Sequence, residues 1–172
     1  MKQIIFTIPL LFLGLISFAQ TTKSDGILSK YALEVQKIIK SDSGIVRGYN
    51  FGTPVTDIKK SETARYMADG RDFAIFKVPI NDKEEAEIIY YLDDQDKVKG
   101  FGIAFLVNVN ATTEETLIDD FQNYFNERYG KFKVNDKNDE YWTAKDGSYT
   151  VEMGDSSESS DLLEIEIEIF KK

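Results

Sequence analysis

The chain has 172 residues, a formal charge of −9 at pH 7, no cysteine and no histidine. The absence of these two residue types excludes Ser-His-Asp triads, Cys-His dyads and the usual zinc ligands, and with them most enzyme classes. Such an acidic chain lacks the basic stripe that releases counterions from phosphates, so we expect no nucleic-acid partner.

Residues 1–20 are typical of a secretory signal peptide. Lys2 precedes an apolar stretch from Ile4 to Phe18, and Ser17 and Ala19 form the small-x-small pair of a cleavage site. The stretch has about 15 residues, fewer than the ~20 that a membrane-spanning helix needs. The sequence therefore predicts cleavage near residue 20 and an exported protein, periplasmic or secreted, that is not inserted in a membrane.

Removal of the signal leaves about 150 residues, which is enough for one buried core. We expect a single α+β domain over residues 21–172, held by packing alone because no disulfide can form. Loss of Lys2 brings the mature charge to about −10. This charge favours solubility, and it leaves open a basic partner or a divalent cation as ligand.

Three segments have the pattern of helices. The first covers residues 25–41, where apolar side chains recur at steps of three and four before the polar run that ends at Gly44. A second, short helix follows Thr53 as the predicted cap, with Pro54 in its first turn. The third begins at a capping box formed by Thr112 and Glu115 and ends near Gly130.

Strand patterns fill most of the remaining chain, and they predict about six strands and a short edge. Residues 100–109 are apolar on both faces, which is typical of a central strand, and the small Gly102 and Ala104 would let a helix approach closely. The predicted strands are 72–78, 87–92, 100–109, 140–144, 149–153 and 162–170, with 131–134 as the short edge.

The order helix, hairpin, acidic turn and long strand occurs twice, over residues 53–109 and again over 112–170. We interpret this order as a tandem helix–meander duplication. The predicted fold class is α+β, with an antiparallel sheet and two or three helices on one face.

The run from Gly48 to Pro54, with Val55 and Ile58 and the following meander, resembles the repeat unit of the β-lactamase-inhibitor-protein-like fold, which small outer-membrane assembly lipoproteins share. The resemblance implies an exported, non-catalytic interaction module. Those lipoproteins have a junction cysteine and the inhibitor proteins have disulfides, whereas this chain has neither. Tethering and inhibition are therefore not carried over, and no residue role is transferred.

Carboxylate chemistry remains open to this chain. Glu164, Glu166 and Glu168 alternate with isoleucines, so they project from one strand face at intervals of roughly 7 Å. Paired carboxylates can hydrolyse glycosides, and Tyr141, Trp142 and Tyr149 could stack on sugars. The same alternation is typical of a half-buried strand whose outer face meets water, and this second interpretation is the more economical.

Asp93, Asp94 and Asp96 supply oxygen ligands at short spacing, which makes them candidates for a calcium site. They lack the closing glutamate of an EF-hand loop and lie between two strands, where aspartate is favoured because it tolerates turn geometry.

The leading hypothesis is a non-catalytic protein-interaction module without a cofactor, whose partner is another exported or envelope protein. In each of the pairs Tyr90-Tyr91 and Tyr141-Trp142, one ring should face the core and the other should be available to an interface. The alternatives are a small-ligand, glycan or calcium-binding domain and, third, a carboxylate-dependent hydrolase. The candidate interaction surface consists of Tyr141, Trp142, Tyr149, Glu164, Glu166 and Glu168.

Overall fold

The computed structural model describes residues 26–82, 84–108, 114–155 and 162–172. The predicted signal peptide and Thr112 of the predicted capping box lie outside these residues. The helices within them are a 3-10 helix at Ile27–Lys30 and three α-helices, α1 Leu33–Ile39, α2 Val55–Ser61 and α3 Glu114–Tyr129. The strands are β1 Arg65–Asp69, β2 Phe73–Pro79, β3 Glu85–Leu92, β4 Val98–Asn108, β5 Lys133–Val134, β6 Glu140–Thr143, β7 Tyr149–Asp155 and β8 Leu162–Lys171.

The strands form one antiparallel sheet in the order β1-β2-β3-β4-β8-β7-β6-β5. The α+β class and the antiparallel sheet are thus confirmed, but the prediction of about six strands is too low. The strand that the sequence does not reveal is β1, where all five residues are exposed. An edge strand without a buried face has no apolar alternation by which to recognise it.

The order of the chain through the sheet repeats. After α2 it runs through the meander β1 to β4, and after α3 it runs through the meander β5 to β8. The last strands of the two meanders, β4 and β8, pair with each other from Gly100 opposite Phe170 to Asn108 opposite Leu162. The predicted centrality of β4 is therefore confirmed.

The predicted helix over 25–41 is interrupted in the structure. Ala32 has an extended ψ of 151°, and its N–H donates to the Asp120 carboxylate of α3 at 2.8 Å. This contact with α3 replaces a helical hydrogen bond, so tertiary structure overrides the apolar periodicity. Helix α1 ends at Ile39, two residues before the predicted end, and Lys40 follows it with a φ of 64°. Gly44 has the left-handed conformation expected for the polar run after the helix, with a φ of 69°.

The predicted side-chain cap of α2 is also wrong. Thr53 Oγ1 accepts the N–H of Asn50 at 3.2 Å, and Pro54 occupies the cap position with no side-chain hydrogen bond. The threonine therefore closes the turn before the helix. The helix ends at Ser61.

The core lies between the helices and one face of the sheet. Phe105 of β4 stacks on Phe121 of α3 with ring centroids 5.3 Å apart, and Trp142 of β6 lies 5.2 Å from Phe125. The other buried strand residues on this face include Phe76, Ile88, Phe101, Ile103, Val151, Met153, Ile165, Ile167 and Ile169. In the described part of the chain, no helix is long and apolar enough to span a bilayer.

A buried ion pair connects α1, α2 and β3. The Arg47 guanidinium donates from Nε and Nη2 to the two carboxylate oxygens of Glu62, both at 2.9 Å, and the two side chains are 3% and 0% exposed. Arg47 Nη1 also donates to the carbonyls of Lys37 and Ile38 at the end of α1. Tyr90 of β3 donates its hydroxyl to Glu62 at 3.0 Å. These bonds satisfy both charges inside the protein.

We expect acid to destabilise the protein through Glu62. Burial alone would raise the pKa of its carboxyl, but the hydrogen bond from Arg47 and the N–H of Ala64 lower it to about 2, from an ordinary 4.5. Because the folded pKa is depressed, the stabilisation is complete above about pH 4.5 and is lost as the pH falls towards 2. Urea unfolding between pH 6 and 2.5 measures this loss. In Glu62→Gln the same curve should be flatter, and parallel curves for the two proteins would contradict the assignment.

Candidate interaction surface

The face of the sheet opposite the core carries half-buried and exposed side chains. Strand alternation places them there, and the strand register aligns them in rows across the sheet. None of the described helices buries them. We call this surface the open face, and it includes Phe73, Ile75, Lys77, Glu87, Ile89, Tyr91, Gly102, Ala104, Leu106, Tyr141, Glu152, Glu164, Glu166, Glu168 and Phe170.

An aromatic pair crosses the middle of the open face. Tyr91 and Phe170 lie on either side of Gly100 in one row, and their rings stack with centroids 5.3 Å apart. A Cβ atom at Gly100 would lie 2.4 Å from a ring carbon of Phe170. The glycine therefore lets the ring lie across β4, and Phe170 remains 37% exposed.

Three carboxylates lie next to this pair. Glu152 of β7 is directly opposite Glu168 of β8, and Glu166 precedes Glu168 by two residues on the same face. Burial raises the pKa of Glu168, and the nearby charges of Glu166 and Glu152 raise it further. The hydroxyl of Tyr91 lies 3.5 Å from Glu168 Oε1. Like charges in direct opposition destabilise a sheet, so this cluster, which we call the acidic cluster, reduces the stability of the free protein.

A shallow groove lies beside Tyr91, Glu166 and Glu168. Its floor is Gly102, where an added Cβ would lie 3.2 Å from the Tyr91 hydroxyl, and Ala104. The prediction that these small residues admit a helix is wrong, because side chains of the open face surround them instead. The groove has a volume of about 20 Å³, room for about one water molecule, and it cannot hold a sugar ring for Glu166 and Glu168 to hydrolyse.

The open face contains four of the six residues predicted for the interaction surface, namely Tyr141, Glu164, Glu166 and Glu168. Trp142 is 1% exposed on the core face, because neighbours on a strand point to opposite faces and Tyr141 takes the outer position. Tyr149 lies two residues before the buried Val151 on β7, so both side chains point to the core face. Its ring packs against Phe51 and Tyr129, so neither Trp142 nor Tyr149 belongs to the surface.

The predicted alternation within the aromatic pairs is confirmed. In the first pair Tyr90 is fully buried and Tyr91 faces outward. In the second pair Trp142 is buried and Tyr141 faces outward. Sequence reasoning missed Phe170 and Glu152 as members of the surface. Phe170 continues the alternation of Glu164, Glu166 and Glu168, which is a signal in the sequence, but the position of Glu152 opposite Glu168 depends on strand register and has no signal of its own.

The aspartates considered for calcium form a turn. Asp93 Oδ1 accepts the N–H groups of Gln95 at 2.8 Å and Lys97 at 3.0 Å, and these backbone hydrogen bonds lower the pKa of Asp93. Asp94 is exposed and Asp96 has a φ of 56°. Within the described ranges, no three acidic side chains, these included, come together as a metal ion would require.

The chain matches no protein-family model, and neither a curated protein nor a solved structure is significantly similar to it. The resemblance to β-lactamase-inhibitor-protein-like repeats therefore stays a prediction.

Proposed function

We propose that the protein is an exported, non-catalytic interaction module. Its open face binds lysine or arginine side chains of a partner protein. The observation that carries the proposal is the acidic cluster of Glu152, Glu166 and Glu168 beside the stacked rings of Tyr91 and Phe170. The export rests on the signal-peptide pattern of residues 1–20, and the partner would be another exported or envelope protein.

The charges on the open face explain why the partner is basic. Glu152 and Glu168 are held opposite each other by the register of β7 and β8. Burial is the main cause of the raised pKa of Glu168; repulsion from Glu166 and, to a smaller extent, from Glu152 raises the pKa further, and Lys137 lowers it. A cation placed between these carboxylates would relieve that repulsion. A bound basic side chain therefore forms a charge-assisted hydrogen bond and also reduces the repulsion between the carboxylates.

The rings supply the apolar part of the contact. Exposed Phe170 and half-buried Tyr91 present a stacked surface next to the carboxylates. Further along β4, opposite Glu164, Leu106 is 49% exposed. Aromatic side chains at the centre of a surface are typical of binding hot spots, and the face of a ring attracts a lysine or arginine cation. The open face therefore matches a partner segment that alternates basic and apolar residues.

We expect Glu168→Gln to stabilise the free protein by about 0.5 kcal/mol while it weakens partner binding, because it removes a like-charge contact of the size measured for cross-strand pairs. Urea unfolding at pH 7 measures the stability. The matched control is Asp94→Asn, which removes one exposed carboxylate from a turn and should leave both quantities unchanged. Destabilisation by Glu168→Gln would show that the carboxylate has a structural role instead.

Partner binding is tested with the chain from residue 21 onward, immobilised and exposed to an envelope extract in 50 mM and 500 mM salt. We expect specific proteins to be retained at low salt, to be cross-linked to residues of the open face, and to be lost with Glu168→Lys. Asp94→Lys is the control for the same change of charge and should retain them. Retention that is unchanged by Glu168→Lys, or no retention by the unmodified chain, would overturn the proposal.

A further inference from the structure

A second concave region lies where the end of α1 meets one end of the sheet. It is a pocket of about 560 Å³ between the end of α1, the start of β1 and the end of β2. We call it the basic pocket, and its lining includes Lys37, Lys40, Arg47, Arg65, Val78 and Pro79. Its volume lies within the range of ~300–1,000 Å³ that is usual for small-ligand sites.

The basic pocket is positive although the chain is acidic. It is lined by four cationic side chains and by the carboxylate of Glu85, and the buried carboxylate of Glu62 lies behind Arg47. Four positive and two negative charges leave a net charge of +2, within a chain of formal charge −9. A concave site of one sign concentrates the field and attracts ligands of the opposite sign.

Two of the four cations, Arg47 and Arg65, already form ion pairs with glutamates. Arg47 binds both oxygens of Glu62, and Arg65 donates to both oxygens of Glu85 at 2.8 Å. Arg47 also binds the carbonyls of Lys37 and Ile38. Since these carbonyls at the end of α1 would otherwise repel an anion, Arg47 prepares the pocket without itself having to bind the ligand.

The other two cations, Lys37 and Lys40, have N–H donors that are available to a ligand. Lys37 donates one hydrogen bond, to the Ile80 carbonyl at 2.7 Å, and among the described residues it has no carboxylate within ion-pair distance. Lys40 reaches Glu62 at 3.4 Å, but Arg47 already binds that carboxylate at 2.9 Å on both oxygens. Each ammonium group has three donors. Lys37 lies in the last turn of α1 and Lys40 directly follows the helix. Both side chains line the same pocket.

The uncharged lining of the basic pocket consists of the polar side chains Gln36 and Thr63 and of an apolar wall formed by Ala64, Val78 and Pro79. We propose that the basic pocket binds a small organic oxyanion, whose carboxylate or phosphate group contacts Lys37 and Lys40 and whose apolar body lies against Val78 and Pro79. This site is separate from the open face and does not depend on the function proposed for it.

Two probes distinguish the anion chemistries. Benzoate offers a carboxylate on an apolar ring, and phenyl phosphate offers a phosphate on the same ring. Each is titrated into the ¹⁵N-labelled protein at constant ionic strength, with chloride as the reference anion. We expect saturable shifts at the amides of Lys37, Lys40 and Arg65 for at least one probe, and the tighter probe identifies the preferred oxyanion. No saturable shift with either probe, or shifts spread over the exposed lysines, would overturn the proposal.

The double variant Lys37→Gln, Lys40→Gln should raise the dissociation constant of the tighter probe at least tenfold. The matched control is Lys60→Gln, Lys145→Gln, which removes two exposed lysines elsewhere and should leave the constant within twofold. Circular dichroism melting shows whether each variant is folded. If the double variant does not fold, the single variant Lys40→Gln is used, with an expected rise of about threefold. Equal affinities in the variant and the control would contradict the assignment of these lysines.

Discussion

Arg47→Met is expected to destabilise the protein by about 3–5 kcal/mol, since it leaves the carboxylate of Glu62 buried without its partner charge. The Glu62 side chain is 0% exposed, so water cannot replace the lost guanidinium. The substitution also frees two carbonyls at the end of α1 that Arg47 binds. Urea unfolding followed by circular dichroism at pH 7 measures the change.

The chain contains a matched control for this prediction. Arg65 also binds both oxygens of a glutamate, Glu85, but the two side chains are 57% and 36% exposed. Exposed pairs contribute about 0–1 kcal/mol, so Arg65→Met should cost less than 1 kcal/mol. Equal losses for the two arginine variants would show that burial of the Arg47–Glu62 pair does not set its importance.

The double variant Arg47→Met, Glu62→Leu separates the ion pair from the packing around it. It removes both charges together, so no unpaired charge is left inside the protein, and we expect it to be more stable than Arg47→Met alone. Tyr90 would lose its acceptor on Glu62, which limits the recovery. A double variant less stable than the single variant would indicate that the pair contributes net stability beyond satisfying its own charges.

Trp142→Ala is expected to destabilise the protein by about 3–5 kcal/mol, which is usual for loss of a large buried aromatic side chain. The indole packs between Phe125 and Phe132, and its Nε1–H donates to Asn126 Oδ1 at 3.0 Å. The alanine variant leaves a cavity where these two rings meet. It also weakens a contact by which α3 is held on β6.

Tyr141→Ala is the control for this second prediction, because the neighbouring residue on the same strand faces the open side. It should cost about 1 kcal/mol or less. Trp142 is the only tryptophan, so its fluorescence reports unfolding in all variants that retain it, and its emission should shift to longer wavelength on unfolding. A larger loss for Tyr141→Ala than for Trp142→Ala would contradict the assignment of the two faces.

Alternation along strands was the most informative pattern in the sequence. It predicts correctly that Tyr90 and Tyr91 face opposite sides, and that Glu164, Glu166 and Glu168 share one face. Alternation alone does not say which face is covered by helices. For this reason Trp142 and Tyr149 are predicted to belong to the surface, although packing against Phe125 and Phe51 places both on the core face.

Features that depend on contacts between distant parts of the chain could not be predicted. The break in the first helix requires Asp120 of α3 to accept the N–H of Ala32. The buried pair joins Arg47 to Glu62, two residues that look like ordinary polar loop and helix-end positions in the sequence. The acidic cluster requires the register that places Glu152 opposite Glu168. In each case the signal lies in the pairing and not in either residue.

The position of β8 has a consequence for synthesis of the chain. β8 follows all other described strands in sequence but occupies the middle of the sheet, between β4 and β7. Until residues 162–170 leave the ribosome, the edge of β4 that pairs with β8 is exposed. β4 is a long strand that contains Phe101, Ile103 and Phe105, and an exposed apolar edge of this kind is prone to pair with other chains. The finished protein has short outer strands, of five residues in β1 and two in β5. The risk of aggregation is therefore concentrated in nascent and truncated chains, and β8, the last of the described strands to be made, is the one that removes it.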